Sequence, residues 1–156
     1  MKMSNITDQS WKKLKQKLKT ITRKTTPMSF DERIQKLNEI QRGWVNNFRM
    51  ASIYNKLLEL DGWVRNRLRY CIWHHWKKPE KKRRCLIRLG VEQGQAYAWS
   101  RSRKGGWAIA QSPILGTTIT VERLKSRGYI SMLDIYVKTA PQLNEPLYTR
   151  PVRTVV

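Results

Sequence analysis

Between Phe30 and Trp76 the apolar residues fall on two long helical stripes, and this pattern limits the fold more than any other feature of the chain. Phe30, Ile34, Leu37, Gln41, Trp44 and Phe48 make the first stripe; Ile53, Leu57, Leu60, Val64, Leu68 and Ile72 make the second. Steps of three and four residues keep each set on one face of an α-helix. Both faces must be buried, and each is expected to bury against the other, the two helices meeting near Ala51. The first helix has a marked start. Ser29 precedes it with Glu32 three residues on, the spacing of a capping box. Pro27 lacks a backbone donor and biases Thr26 away from helical angles, so no helix is expected to run through from upstream. From Ser29 to Met50 such a helix spans roughly 30 Å.

Charge separates this spine from what surrounds it. Residues 31–62 carry five basic side chains (Arg33, Lys36, Arg42, Arg49, Lys56) and five acidic ones (Asp31, Glu32, Glu39, Glu59, Asp61), inside a 156-residue chain of formal net charge +21. The excess therefore lies on the flanks. With 40% hydrophobic residues and seven Trp, the chain is not the low-hydrophobicity type that stays disordered, and it is long enough for a real core. A cationic surplus of this size repels itself unless a polyanion is present. Nucleic acid is the first candidate and an anionic membrane surface the second.

Upstream, residues 7–22 read as an amphipathic helix with Trp11, Leu14, Leu18 and Ile21 buried and Lys12, Lys13, Lys15, Lys17 and Lys19 mostly on the other side. That lysine face is either a solvated surface or part of a binding face. The narrowness of the apolar line argues against membrane-surface binding. Downstream, Trp63 to Arg88 holds ten basic residues and one acidic one. Arg65 and Arg69 share a face while Arg67 points nearly opposite. Tyr70, Trp73 and Trp76 interleave with them, either as core or as flat surfaces for base stacking and cation–π contact.

Pro79 is expected to break the helix, which restarts over Lys81 to Leu89 and ends at Gly90. Val91 to Trp99 reads as a short helix and Arg101 to Trp107 as a basic, glycine-bearing loop with an aromatic anchor. Thr117 to Arg127 is expected to be a helix closed by Gly128, followed by an apolar segment over 129–137 of open type. Pro141, Pro146 and Pro151, with Arg150 and Arg153, read as an extended tail over 139–156.

Metal chemistry finds little purchase. His74 and His75 are adjacent, diverge by about 100° on a helix and cannot chelate one ion together; with Cys71 and Cys85 they match no zinc spacing. The two cysteines read as reduced, buried thiols. No 18-residue apolar run is present and no secretory signal opens the sequence, so the chain is expected to be cytoplasmic and not membrane-bound.

The order of several short strings is familiar. Leu37-Asn38, Arg42-Gly43-Trp44 with Asn47-Phe48, Leu60-Asp61, the Arg65-x-Arg67-x-Arg69 run, Trp73 and Trp76-Lys77-Lys78 resemble the X (thumb) region of group II intron-encoded reverse transcriptase/maturases. Arg84, Leu89-Gly90, Ser102-x-Lys104-Gly105-x-Trp107 and Leu124-x-x-x-Gly128 resemble the family's maturase-specific domain, so the likeness covers roughly residues 8–137. It implies a mainly all-α architecture: a thumb-like bundle of about three long helices over 7–78, shorter helices and a basic loop over 79–138, then the tail. It also implies an RNA-binding function, in which the protein holds folded intron RNA and assists its splicing or retrohoming while the RNA performs the transesterifications.

Carried onto this chain, the family's basic RNA-contacting surface falls around Arg65, Arg67, Arg69, Lys77, Lys78 and Arg84. With the charge and aromatic pattern, the expected RNA-binding set is Lys12, Lys15, Lys19, Arg65, Arg67, Arg69, Trp73, Lys77, Lys78, Lys81, Lys82, Arg83, Arg84, Arg101, Arg103 and Lys104. Reverse transcription needs paired metal-binding aspartates, and the aspartates here, Asp8, Asp31, Asp61 and Asp134, are never adjacent. The finger, palm and endonuclease regions of the family have no counterpart. No enzyme activity, catalytic residue, metal or cofactor is therefore expected. Expected partners are structured group II intron RNA, with a primer–template duplex, a DNA target or a separate finger–palm chain as further candidates. Two alternatives stay open: a basic DNA-binding module of helix-turn-helix type with Thr117 to Arg127 as its reading helix, or a thumb supplied in trans to a separate reverse transcriptase chain.

Overall fold

A computed structural model describes residues 7–48 and 53–139; the 140–156 part of the expected tail and the junction near Ala51 lie outside them. The described residues form nine helices and no strand, an all-α fold. Three are long: α1 (Asp8–Ile21), α2 (Phe30–Phe48) and α3 (Tyr54–His75). Six shorter ones follow: α4 (Pro79–Arg88), α5 (Gln93–Ser100), α6 (Gly106–Gln111), α7 (Pro113–Gly116), α8 (Val121–Ser126) and α9 (Met132–Thr139).

The caps explain several boundaries. Thr7 Oγ1 accepts from the Ser10 N–H at 3.1 Å and starts α1, and Ser29 Oγ accepts from the Glu32 N–H at 3.1 Å and starts α2. The break expected at Pro79 is present, α3 ending at His75, but the restart comes at Pro79 itself and not at Lys81. Pro79 opens α4 as the first residue, where the missing donor costs nothing. Glu92 starts α5 by accepting from Gly94 and Gln95 at 3.0 Å each. The helix expected over 117–127 is shorter: Thr120 caps it, its hydroxyl accepting from the Arg123 N–H at 3.2 Å, and Thr117 to Thr120 form a connection after α7. The expected basic loop is also cut short, because Trp107 already lies in α6. Gly90 and Gly128 close α4 and α8 with φ of 103° and 104°, a region a side chain rarely adopts.

The two striped helices share one core, but neither is covered by the other alone. α1 and α9 pack on α2, while α6 and α9 pack on α3. The wedge is the segment from Gly128 into α9, and polar side chains hold it there. Asn38 Nδ2 donates to the Gly128 carbonyl at 2.8 Å and Asn38 Oδ1 accepts from the Ile130 N–H at 3.0 Å. Gln41, fully buried, donates to the Ile130 carbonyl and accepts from the Tyr129 hydroxyl. From α3, the buried Asp61 carboxylate accepts from the Met132 and Leu133 N–H groups at 2.8 and 2.9 Å, capping α9 from a different helix. Around this anchor Leu37, Leu57, Val64, Leu68, Leu124 and Met132 form one core.

Buried arginines hold the other end. Arg33 donates to the carbonyls of Ile21, Arg23 and Thr26. Arg67 donates from Nε to Thr22 Oγ1 at 3.1 Å and from its terminal nitrogen to the Thr22 and Lys19 carbonyls at 3.2 and 3.3 Å. Both guanidinium groups therefore meet the carbonyl end of α1, where the helix carries partial negative charge and lacks intrahelical donors. Arg69 donates to the Ile119 carbonyl at 2.8 Å and to Asn66 at 2.9 Å, fixing the connection between α7 and α8 against α3.

Candidate nucleic-acid interface

These anchors decide which cations are left for a ligand. Arg67, Arg69 and Trp73 of the expected set are 9%, 8% and 5% exposed, and both guanidinium groups are spent on the protein's own carbonyls. Desolvation pulls both arginines below their usual pKa. Arg83 and Arg101 share the Glu80 carboxylate, and Arg101 also lies over the Tyr97 ring. Arg65 is half-buried; Lys12, Lys15, Lys19, Lys77, Lys78, Lys81, Arg84, Arg103 and Lys104 are exposed.

Around Arg67 the structure assembles a ribbon of aromatic rings. Its guanidinium carbon sits 5.7 Å from the Trp63 ring centre, 5.7 Å from Tyr70 and 5.6 Å from Trp107. Tyr70 and Trp107 meet edge to face at 5.6 Å. At Gly106 the backbone of α6 comes so close that a Cβ would stand 2.9 Å from the Tyr70 ring, and 3.7 Å from Trp73. The next turn adds Trp76, 5.9 Å from Trp73.

Lysines from separate elements lie over this ribbon. Lys15 of α1 is 4.8 Å from the Trp63 ring centre, Lys24 from the α1–α2 connection is 5.4 Å from Tyr70, and Lys82 of α4 is 4.6 Å from Trp73. Slight burial and the neighbouring Lys24, Lys77 and Lys82 charges hold His74 below its usual pKa, so these cations share one locality. The ion pairs among the described residues engage Lys56, Arg83, Arg101 and Arg127 and none of Lys15, Lys24, Lys77 or Lys82. Lys77 also holds φ of 50°, closing α3 in a conformation that glycine or asparagine adopts more cheaply.

The match to known families falls on this part of the chain. Residues 11–90, just over half of it and spanning α1 to α4, match the model of the group II intron, maturase-specific domain. The chain belongs to this family. Membership ties the chain to group II intron splicing. No curated protein matches the chain. Within the matched residues, Asn38 and Asp61 hold the 128–133 segment, and Arg67 and Arg69 hold α1 and the α7–α8 connection. Among the described residues no three His, Cys, Asp or Glu side chains gather to hold a metal ion, and no helix is long and apolar enough to cross a membrane.

Of the expected set, Lys15 and Lys82 lie over rings of the ribbon, and Lys77 shares the neighbourhood of His74 with Lys82. Lys24 and Trp63 were absent from that set. Lys24 lies outside any periodic pattern and reaches the site only because the chain turns after α1; Trp63, three residues before Asn66 and four before Arg67, was legible as an aromatic one turn from the arginine run.

Proposed function

We propose that this maturase-specific domain binds structured group II intron RNA through the lysine-topped ribbon and supports splicing without chemistry of its own. One observation carries the reading. Lys15, Lys24 and Lys82 come from three separate elements and converge over neighbouring aromatic rings of α3, with no carboxylate within salt-bridge distance of them among the described residues. Cation–π attraction to the rings places each lysine there, and each ammonium keeps its donors for a ligand. Cations placed beside rings suit RNA, whose phosphates take the charge and whose unstacked bases can meet the half-buried Trp63 and Tyr70, while Trp73 is buried. Docking releases counterions, which supplies the affinity.

The experiment is a direct binding comparison between a folded group II intron RNA and a DNA duplex of similar charge at one ionic strength. RNA is expected to bind more tightly. Reversing Lys15, Lys24 and Lys82 together to glutamate should weaken RNA binding by at least about tenfold; Lys15 and Lys24 are exposed and Lys82 is half-buried, so circular dichroism of the triple variant checks that helicity is kept. Equal affinity for duplex DNA, or a triple variant that binds as well as the native chain, would refute the reading.

A further inference from the structure

Around the end of α3 from the ribbon lies a cleft of about 560 Å³, between the start of α2 and the ends of α3, α4 and α8. Its size is that of a small-molecule site. Phe30, Trp76 and Leu124 give it an apolar floor, and Arg88, Arg123 and Arg127 stand around it. No aspartate or glutamate lines it. Arg127 is partly engaged, lying 4.6 Å over the Phe30 ring and 3.2 Å from Asp31. Arg88 and Arg123 are exposed and belong to none of the ion pairs among the described residues. An apolar lining that includes the Trp76 ring, beside two arginines outside any ion pair among the described residues, suits a flat ring carrying an anionic phosphate.

We propose that this cleft takes a single unpaired nucleotide splayed out of a structured RNA, its base against Trp76 and its flanking phosphates at Arg88 and Arg123. The proposal rests on RNA being the ligand of the ribbon. Continuity favours a nucleotide still in its chain over a free one. Trp76 follows the ribbon residue Trp73 on the next turn, and Arg88 lies six residues beyond Lys82 on α4, about 9 Å along its axis. A base on Trp76 thus meets a ring 5.9 Å from that of Trp73, over which Lys82 lies.

The test uses two RNA hairpins with the same stem, one fully paired and one carrying a single-nucleotide bulge, titrated against the full chain. The native protein is expected to prefer the bulged hairpin by about tenfold, the scale of one stacked base. In the double variant Arg88→Gln/Arg123→Gln the preference should shrink to within about twofold, while the paired hairpin loses no more than about threefold. Both arginines are exposed, so folding is not at risk; Trp76→Leu, checked by circular dichroism, should erase the same preference. Equal native affinity for the two hairpins, or a preference that survives in the double variant, overturns the cleft and leaves binding to the paired stem standing. A native chain that binds neither hairpin overturns the RNA reading beneath it. A nucleoside monophosphate that binds as tightly as the bulged hairpin overturns the chain-borne source.

Discussion

Arg67→Lys separates a structural arginine from an RNA-contacting one. In the native chain Arg67 donates three hydrogen bonds at 3.1 to 3.3 Å to the end of α1, and its guanidinium is ringed by Trp63, Tyr70 and Trp107. Hydrogen bonds from a charged donor contribute about 1.5–3 kcal/mol each. These are not short and act as a unit, so truncation to alanine should cost about 3 kcal/mol in all. Lysine keeps the charge but offers a single ammonium where a planar fork is needed, and should cost about 2 kcal/mol. With a urea slope of about 2 kcal/mol per molar, the midpoint of unfolding should fall by about 1 M for lysine and 1.5 M for alanine, at unchanged slope. RNA binding by folded Arg67→Lys should keep the native salt dependence. The reasoning fails if lysine shifts stability by less than about 0.5 kcal/mol while the salt slope becomes shallower by about one, because Arg67 would then be serving a phosphate.

Two further outcomes follow from the same contacts. Asp61→Asn should destabilise by about 1–3 kcal/mol, because both oxygens of the carboxyl, ionised or protonated, can accept from the N–H groups that start α9, whereas the amide nitrogen cannot. Burial, outweighing those two hydrogen bonds, holds the Asp61 carboxyl above its ordinary value. The folded chain therefore holds that proton more tightly than the unfolded one, and the Asp61 contribution is greatest in acid and declines as pH rises from the ordinary aspartate range through the folded value. Urea unfolding across pH should show the cost of Asp61→Asn shrinking from acid toward neutral; a cost that grows instead would mean that the hydrogen bonds dominate. Lys77→Gly should raise stability by about 0.5–1 kcal/mol by relieving the positive φ of 50°, yet weaken RNA binding. A variant that gains stability and loses no affinity would remove Lys77 from the interface.

The sequence disclosed the parts of the fold whose causes are local. The stripes of α1, α2 and α3, the Ser29 cap and the closing glycines Gly90 and Gly128 depend on residues a few positions apart, and each stands where its spacing put it. Pairing was less legible, because a stripe shows that a face is buried but not what covers it. The cover for α2 and α3 came from α9, through polar contacts that span 71 to 92 residues. Arg65, Arg67 and Arg69 look alike in the string. Arg67 and Arg69 are inside because carbonyls 45 and 50 positions away meet them, a fact that alternation along α3 does not carry. Lysines on separate elements had the same obscurity: the charge of Lys15, Lys24 and Lys82 was visible, but not their convergence.

The central claim is that unpaired cations on one face hold RNA through its phosphates. The direct measurement is the affinity for a folded group II intron RNA as a function of salt concentration. Engagement of about six phosphates predicts that log K falls with log salt at a slope on the order of −4 to −5, and that the Lys15, Lys24 and Lys82 triple reversal makes the slope shallower by about three. A native slope near zero, or one that the triple reversal leaves unchanged, would contradict it.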